Sequence, residues 1–406
     1  MGGAAGHLCH LHENWWLTFG ELKDVLSQAA EGRLENATEK LDGMNIMFTW
    51  SVLKGRLFVA RNVSDVRNGG MDAQLLAQKF RGRGGVEEAF NSAYRVLLDA
   101  ISSLPEGVLH RTFGANGELY YSAEVIYAAD PNVINYDTNN LVFHGHPVIY
   151  RLTCKEINDD GRVELLSRYI DQMQRAVSMR DWRIRGPSLL QLQKIADGTI
   201  IDQALAQLDF VQRQHNLTDE HSLQDYIRSC FLMDLRSVSL PTSIVPLLLD
   251  RLTGAIGSPT VTDIKRHLAP SQKQLIADMV KDAPERIKQF MAPIESIIMQ
   301  LSIEVLKGLQ SQLVNDSNAE IQRLRSQVTR AIDVINRSGN DAAMNVLQRE
   351  MTRLKHVENI SSSMEGIVFK YKGKMYKFTG AFAPAHQILA LFKYGRKGIP
   401  KMSEEQ

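Results

Sequence analysis

The sequence has little of what would tie it to an oxidising compartment or a bilayer. Its three cysteines, Cys9, Cys154 and Cys230, are far apart and odd in number. That excludes a disulfide framework and fits a reducing compartment. No apolar run is long enough to span a membrane. The segment MGGAAGHLCHLHENWW has no basic stretch followed by an apolar one, so no secretory signal is expected. The cytosol is the expected location. An excess of one charge sign is also missing, since 47 basic and 46 acidic residues leave a net charge of +1. A balanced total still permits nucleic-acid binding, but any basic surface must be local. No sequence repeat is found. What remains is an ordinary globular composition, 44% apolar and 23% charged, in 406 residues, which suits two or three domains.

The pattern divides the chain into three parts. Residues 1–154 mix strand and helix signals. Thr18-Phe19-Gly20-Glu21 reads as a capping box, with Leu17 and Leu22 placed for a hydrophobic staple and a helix running to about Ala30. Strand-like runs follow at 45–52, 56–60, 118–127 and 141–152, with helical spacing at 73–80 and 85–104. Residues 155–355 read as helical, punctuated by Pro187, Pro241, Pro259, Pro270, Pro284 and Pro293. The stretch 294–355 reads as long charged helices, with breaks at 315–318 and 338–341. Residues 356–406 return to strand, with a hairpin of 366–371 and 374–379 around Lys372-Gly373 and a short helix at 385–394. The expected fold class is α+β, one domain built from both ends of the chain with an all-α insertion between them.

The chemistry is expected in the two ends. Glu39-Lys40-Leu41-Asp42-Gly43-Met44-Asn45 is a Lys-x-Asp-Gly-x-Asn motif just ahead of a strand. A lysine amine attacks the α-phosphorus of a nucleoside triphosphate only when neutral, so burial or nearby cations must favour that form. Asp42 suits a bond to ribose or to the lysine, and Gly43 lets backbone approach a nucleotide. Far downstream, Glu365-Gly366 precedes an apolar strand and Lys377 lies on the next one.

In this order the motifs resemble those of the covalent nucleotidyltransferase superfamily, which contains ATP-dependent DNA ligases, RNA ligases and mRNA capping enzymes. Lys40, Asp42 and Gly43 look like motif I, Arg61 like motif Ia and Glu124 like motif III. Phe143 looks like the base-stacking aromatic of motif IIIa, Glu365 like motif IV and Lys377 like motif V. The branch that seals nicks in duplex RNA fits best, since Glu39 and Asn45 match its motif I, with Asp42 where that branch commonly has histidine. The Tyr-Lys-Phe-Thr-Gly and Phe-Ala-Pro runs near the end look like ligase-like proteins of tailed phages, which would place the chain in host cytoplasm. The resemblance covers about half the chain. It implies a ligase-type adenylation fold, ATP, Mg²⁺ or Mn²⁺, and an acceptor of polynucleotide ends or nicks, RNA ahead of DNA. It implies that Lys40 carries AMP, that Arg61 and Glu124 hold ribose or phosphate, and that Phe143 stacks on adenine. It further implies that Glu365 holds the metal ion and that Lys377 neutralises the α-phosphate.

Two departures stand out. Motif V usually carries Lys-x-Lys, whereas here Lys377 has no such neighbour: either the second lysine is missing or Lys374 serves in its place. No OB-fold segment is expected after motif V, which argues against a DNA ligase or a capping enzyme. A transferase with a capping-like or protein acceptor, and a non-catalytic ligase-like scaffold, remain as other readings. His7-x-Cys9-His10-x-His12 holds metal-ligand residue types, but its spacing is too tight for a tetrahedral site. The basic stretches 81–84, 180–185 and 393–397 suit phosphate contact, and Trp182 and Tyr394 suit base stacking. The helices at 294–355 offer a face for packing within the insertion, for self-association or for a protein partner.

Overall fold

A computed structural model describes residues 8–393 apart from 158–159, 187–188, 237, 239, 256, 267, 310–311 and 314–317. For residues 145–147, 160, 392 and 393 it describes the backbone alone. The first described strand is β1 (Cys9–His10). The capping box then forms as expected. The Glu21 N–H donates to the Thr18 hydroxyl, and the Thr18 N–H donates to the Glu21 carboxylate, both at 3.1 Å. These bonds start α1 (Phe19–Ala30). Next come β2 (Glu35–Lys40), β3 (Met44–Ser51) and β4 (Arg56–Ala60). The helices α2 (Val63–Arg67), α3 (Ala73–Phe80), α4 (Gly85–Ser102) and α5 (Glu106–Phe113) follow. Then come β5 (Leu119–Ile126) and β6 (Asn139–Tyr150).

The boundary expected at 154 falls inside a sheet. Strand β7 (Lys155–Ile157) pairs antiparallel with β6. After α6 (Asp160–Ser167) and α7 (Ile170–Ala176), strand β8 (Trp182–Arg185) pairs parallel with β6. The six-stranded sheet runs β4-β3-β5-β6-β7, with β8 added on β6. One of its faces sends Ile46, Phe48, Tyr121, Ala123, Leu141 and Phe143 into a core closed by α4, α5 and residues 166–184.

The helical stretch comprises α8 (Thr199–His215), α9 (Leu223–Leu235), α10 (Ile244–Leu252), α11 (Val261–Lys265), α12 (Pro270–Lys307), α13 (Asn318–Ser338) and α14 (Asp341–Leu354). Pro284 and Pro293 do not end helices, because both lie inside the 38-residue α12. An interior proline costs roughly 3 kcal/mol. Burying one large apolar side chain returns roughly 1.5–3 kcal/mol, and α12 buries Ile276, Ile287, Ile294, Ile298, Leu301 and Leu306 among others. Tertiary burial therefore outweighs both prolines. Pro270 sits at the first turn of α12, where its missing N–H is harmless.

Strands β9 (Gly366–Tyr371) and β10 (Lys374–Phe378) then form the expected hairpin, and α15 (Phe382–Lys393) follows. They build a four-stranded sheet, β1-β10-β9-β2, with β1 parallel to β10. Its Ile367, Phe369 and Phe378 share a continuous core with α1 and with α8, α9, α10 and α12. Helices α13, α14 and α15 form a further core with Leu41, Ile134, Tyr136 and Val142. The helical stretch thus packs against elements from both ends of the chain. The architecture is mixed α+β with two mixed sheets, and neither sheet closes into a barrel. No helix among the described residues is long and apolar enough to cross a membrane.

Candidate active site

The segment 40–44 links the two sheets. Lys40 is the last residue of β2, not a residue merely preceding a strand, and it stands opposite Gly366 on β9. That register puts the Lys40 amine on the Glu365 carboxylate in an ion pair. Both side chains keep about a fifth of their surface exposed (21% and 20%), so solvent reaches the pair, and the ground beside it between the two sheets is the candidate cleft. Gly366 has φ +155°, and a Cβ there would lie 1.9 Å from the Phe378 carbonyl oxygen. Only glycine lets β10 approach behind Glu365.

Strand alternation sorts the remaining candidates. Lys377 pairs with Val368, Thr38 also pairs with Val368, and Lys40 pairs with Gly366, so Lys40 and Lys377 share a face. Lys377 is buried, which pushes its pKa down; Glu13 and Glu365 oppose that shift, and Lys40 adds to it. Lys374 is exposed and alternates with Lys377 onto the face of Tyr376 and Phe378, so it cannot serve as the second motif V lysine. Glu39 stands opposite Ile367 and is turned to the helical side of the sheet, where its charge acts on Tyr136. Strand alternation puts Glu39 on the face of β2 opposite Lys40.

The six-stranded sheet supplies the other wall. Asn45 lies directly opposite Glu124, and its buried Oδ1 has no partner. A Cβ on Gly43 would meet the Glu124 Cγ at 2.7 Å and the Val125 carbonyl oxygen at 2.8 Å, so this glycine admits β5. Glu124 accepts or shares a hydrogen bond with His144 Nε2 at 3.1 Å. Arg61 lies over the Phe90 ring at 4.5 Å, and its buried Nη1 has no partner. Burial lowers the Arg61 pKa, with Glu124 and then Asp65 opposing. An unpaired buried donor costs about 1–3 kcal/mol, and here it is left available to an acceptor in the cleft.

Asp42 does not reach into the cleft as a free carboxylate. Its Oδ2 accepts the Val133 N–H at 2.7 Å and the Ile134 N–H at 2.8 Å, while its own N–H donates to the Tyr136 hydroxyl. Asp42 is a clamp on the loop that closes this end of the cleft. Phe143 is a second correction. It is 2% exposed and packs on Phe48 at 5.1 Å in the core behind the sheet, where no base can stack on it. The next residue, His144, takes the cleft side.

Electrostatics join the two walls. Burial pushes the Glu365 carboxyl up to about 7; Lys40 opposes this, and the charges of Asp42 and Glu124 add to it. On the far side of Lys377 lies His12, whose pKa burial lowers, near Glu295 of α12 and Arg353 of α14. The helical stretch therefore borders the cleft.

His144, Phe90 and Tyr136 escaped the motif reading. Of these, His144 had a usable signal, its place one residue after an aromatic on an alternating strand. Among the described residues, no three His, Cys, Asp or Glu side chains converge as a metal site, including Cys9, His10 and His12; His7 lies outside the described residues. Trp182, expected in a base-stacking patch, is buried and donates to Ser92 at 3.0 Å. Arg180 is paired with Asp99, and residues 394–397 lie outside the described residues. Comparison with protein-family models, curated proteins and solved structures finds no match.

Proposed function

We propose that this chain is an ATP-dependent nucleotidyltransferase that carries AMP on Lys40 and joins 5′-phosphate to 3′-hydroxyl polynucleotide ends, RNA ahead of DNA. The observation that carries the reading is the Lys40–Glu365 ion pair, with Lys377 on the same sheet face. The partnerless Asn45 Oδ1 and Arg61 Nη1 on the facing sheet support it. Lys40 attacks only as the neutral amine, so its proton must leave first. Glu365, with a pKa of about 7, is matched to take that proton near neutral pH. The Nζ lone pair then forms a bond to the α-phosphorus as the bond to the bridging oxygen breaks and pyrophosphate leaves. Lys377 stands on the same face to offset charge building on the α-phosphate. Arg61, Asn45 and Glu124 provide donors and acceptors for ribose and phosphate, and His144 holds Glu124.

Glu365 is the carboxylate that would hold Mg²⁺, and it would do so only in its ionised form. That ion takes one or two carboxylates and completes its shell with water and substrate phosphates, and Glu365 is a destabilised carboxylate facing the cleft. When bound, the ion neutralises phosphate charge. The test is covalent labelling with α-labelled ATP, and separately GTP, followed by denaturation. Label from ATP that disappears in Lys40→Ala is the expected result. Label retained by Lys40→Ala would sink the assignment, and label from GTP alone would redirect it to a capping-type transferase.

A further inference from the structure

The turn before α1 places a large aromatic in water. Trp16 is 66% exposed, although the backbone on both sides is fixed. The Leu17 N–H donates to the Asn14 carbonyl at 3.0 Å, and the Gln224 N–H donates to the Trp15 carbonyl at 2.8 Å. The Asn14 side-chain amide in turn donates to the Tyr376 hydroxyl at 2.7 Å. A rigid, exposed indole loses little freedom on binding a planar group. It borders a groove of about 420 Å³ lined by Trp15, Trp16, Asn14, Lys374, Met375 and Tyr376. That volume is within the range of ligand clefts, roughly 300–1,000 Å³.

Lys40, Glu365 and Lys377 do not line the groove, but Met375, which does, shares a face of β10 with Lys377. Glu13, also in the lining, is among the groups whose charges act on Lys377. Glu13 is committed locally, because its carboxylate accepts the His10 N–H at 2.7 Å. Lys374, exposed on the far face of β10 from Lys377, is the cation at the groove.

We infer that this groove holds the single-stranded end of the acceptor polynucleotide, with a base stacked on Trp16 and a backbone phosphate on Lys374. Stacking on an aromatic beside a cation is how strands are held without reading their sequence. Met375 and Lys377 lie on one face of β10, so a strand leaving the groove past Met375 runs toward the nucleotide on Lys40. The inference rests on the function proposed above, which supplies the acceptor class.

The experiment titrates the full chain with a 5′-phosphorylated single-stranded RNA oligonucleotide and follows tryptophan fluorescence and a filter-binding isotherm. Lys40 labelling is run on the same samples. Quenching is expected in the parent. Binding should weaken on the order of ten-fold or more in Trp16→Ala, with substantial recovery in Trp16→Phe. Lys374→Glu should weaken binding and flatten its salt dependence, as removal of one phosphate contact does. Trp16 is exposed, so Trp16→Ala should unfold with the parent's denaturant midpoint. Unchanged affinity in both Trp16→Ala and Lys374→Glu, or no oligonucleotide binding by a parent that labels on Lys40, overturns the groove assignment. Binding that follows these variants in a protein that never labels on Lys40 supports the groove and removes the transferase reading instead.

Discussion

Replacing Glu365 with glutamine should give a protein that is inactive and, at alkaline pH, more stable. Burial raises the Glu365 carboxyl from an ordinary 4.5 to about 7 in the folded chain, even with Lys40 beside it. The folded state therefore holds a proton on Glu365 that the unfolded state has already released. Stability from this group is complete below pH 4.5 and is lost as pH rises to 7. At roughly 1.4 kcal/mol per pH unit, the ionised form costs at most about 3 kcal/mol at pH 8. Glutamine stays neutral throughout and escapes that cost. Urea unfolding of parent and Glu365→Gln at pH 5, 6, 7 and 8 reads the difference directly. At pH 5 the variant should already lead by about 1 kcal/mol. The lead should then reach up to about 3 kcal/mol at pH 8, with nucleotide labelling abolished. A variant less stable than the parent at pH 8 would refute the reasoning, because Lys40 would then gain more from the carboxylate than burial takes away.

Three further outcomes follow from the cleft. Asp42→Ala leaves the Val133 and Ile134 N–H groups without their acceptor, so urea unfolding should show a loss of roughly 2–3 kcal/mol. Gly43→Ala forces a Cβ against Glu124 and Val125; labelling should fall at least ten-fold, with a stability loss of roughly 1–3 kcal/mol. Phe143→Ala and His144→Ala should separate cleanly. The first should cost roughly 3–5 kcal/mol of stability as a core cavity. The second should cost about 1 kcal/mol, the scale of one hydrogen bond, yet raise the ATP concentration needed for half-maximal labelling.

Local signals were legible wherever the interaction itself is local. The Thr18–Glu21 box and the Lys372-Gly373 hairpin came directly from residue types, and both turn residues adopt positive φ (46° and 78°). Strand β2 was not legible. Glu35–Lys40 is almost wholly polar, with Ala37 its one buried residue, and it is a strand because β9 pairs with it. The reach of α12 through two prolines was hidden for the same reason, since distant packing holds it. The order of the site residues was readable, but their faces were not. Tyr120 and Tyr121 are both bulky and both buried, so they give no alternation to follow, and a register shift between Tyr121 and Ala123 complicates it further. Phe143 was assigned to the base by resemblance to a motif aromatic, and that resemblance does not say which face of β6 the residue takes. The boundary at 154 followed a change in composition, whereas β7 and β8 are held by pairing with β6.

The placement of Lys40 on β2 has a consequence for the chain as it is made. Synthesis delivers the lysine early and Glu365 with β9 and β10 only near the end. Until that hairpin emerges, β2 has no neighbour on β9 and Lys40 has no Glu365. On the function proposed above, a ribosome-bound chain displays the Lys40 amine before the carboxylate and the second lysine that stand beside it in the fold. On that reading the order of the motifs withholds nucleotide transfer until β9 and β10 have been made.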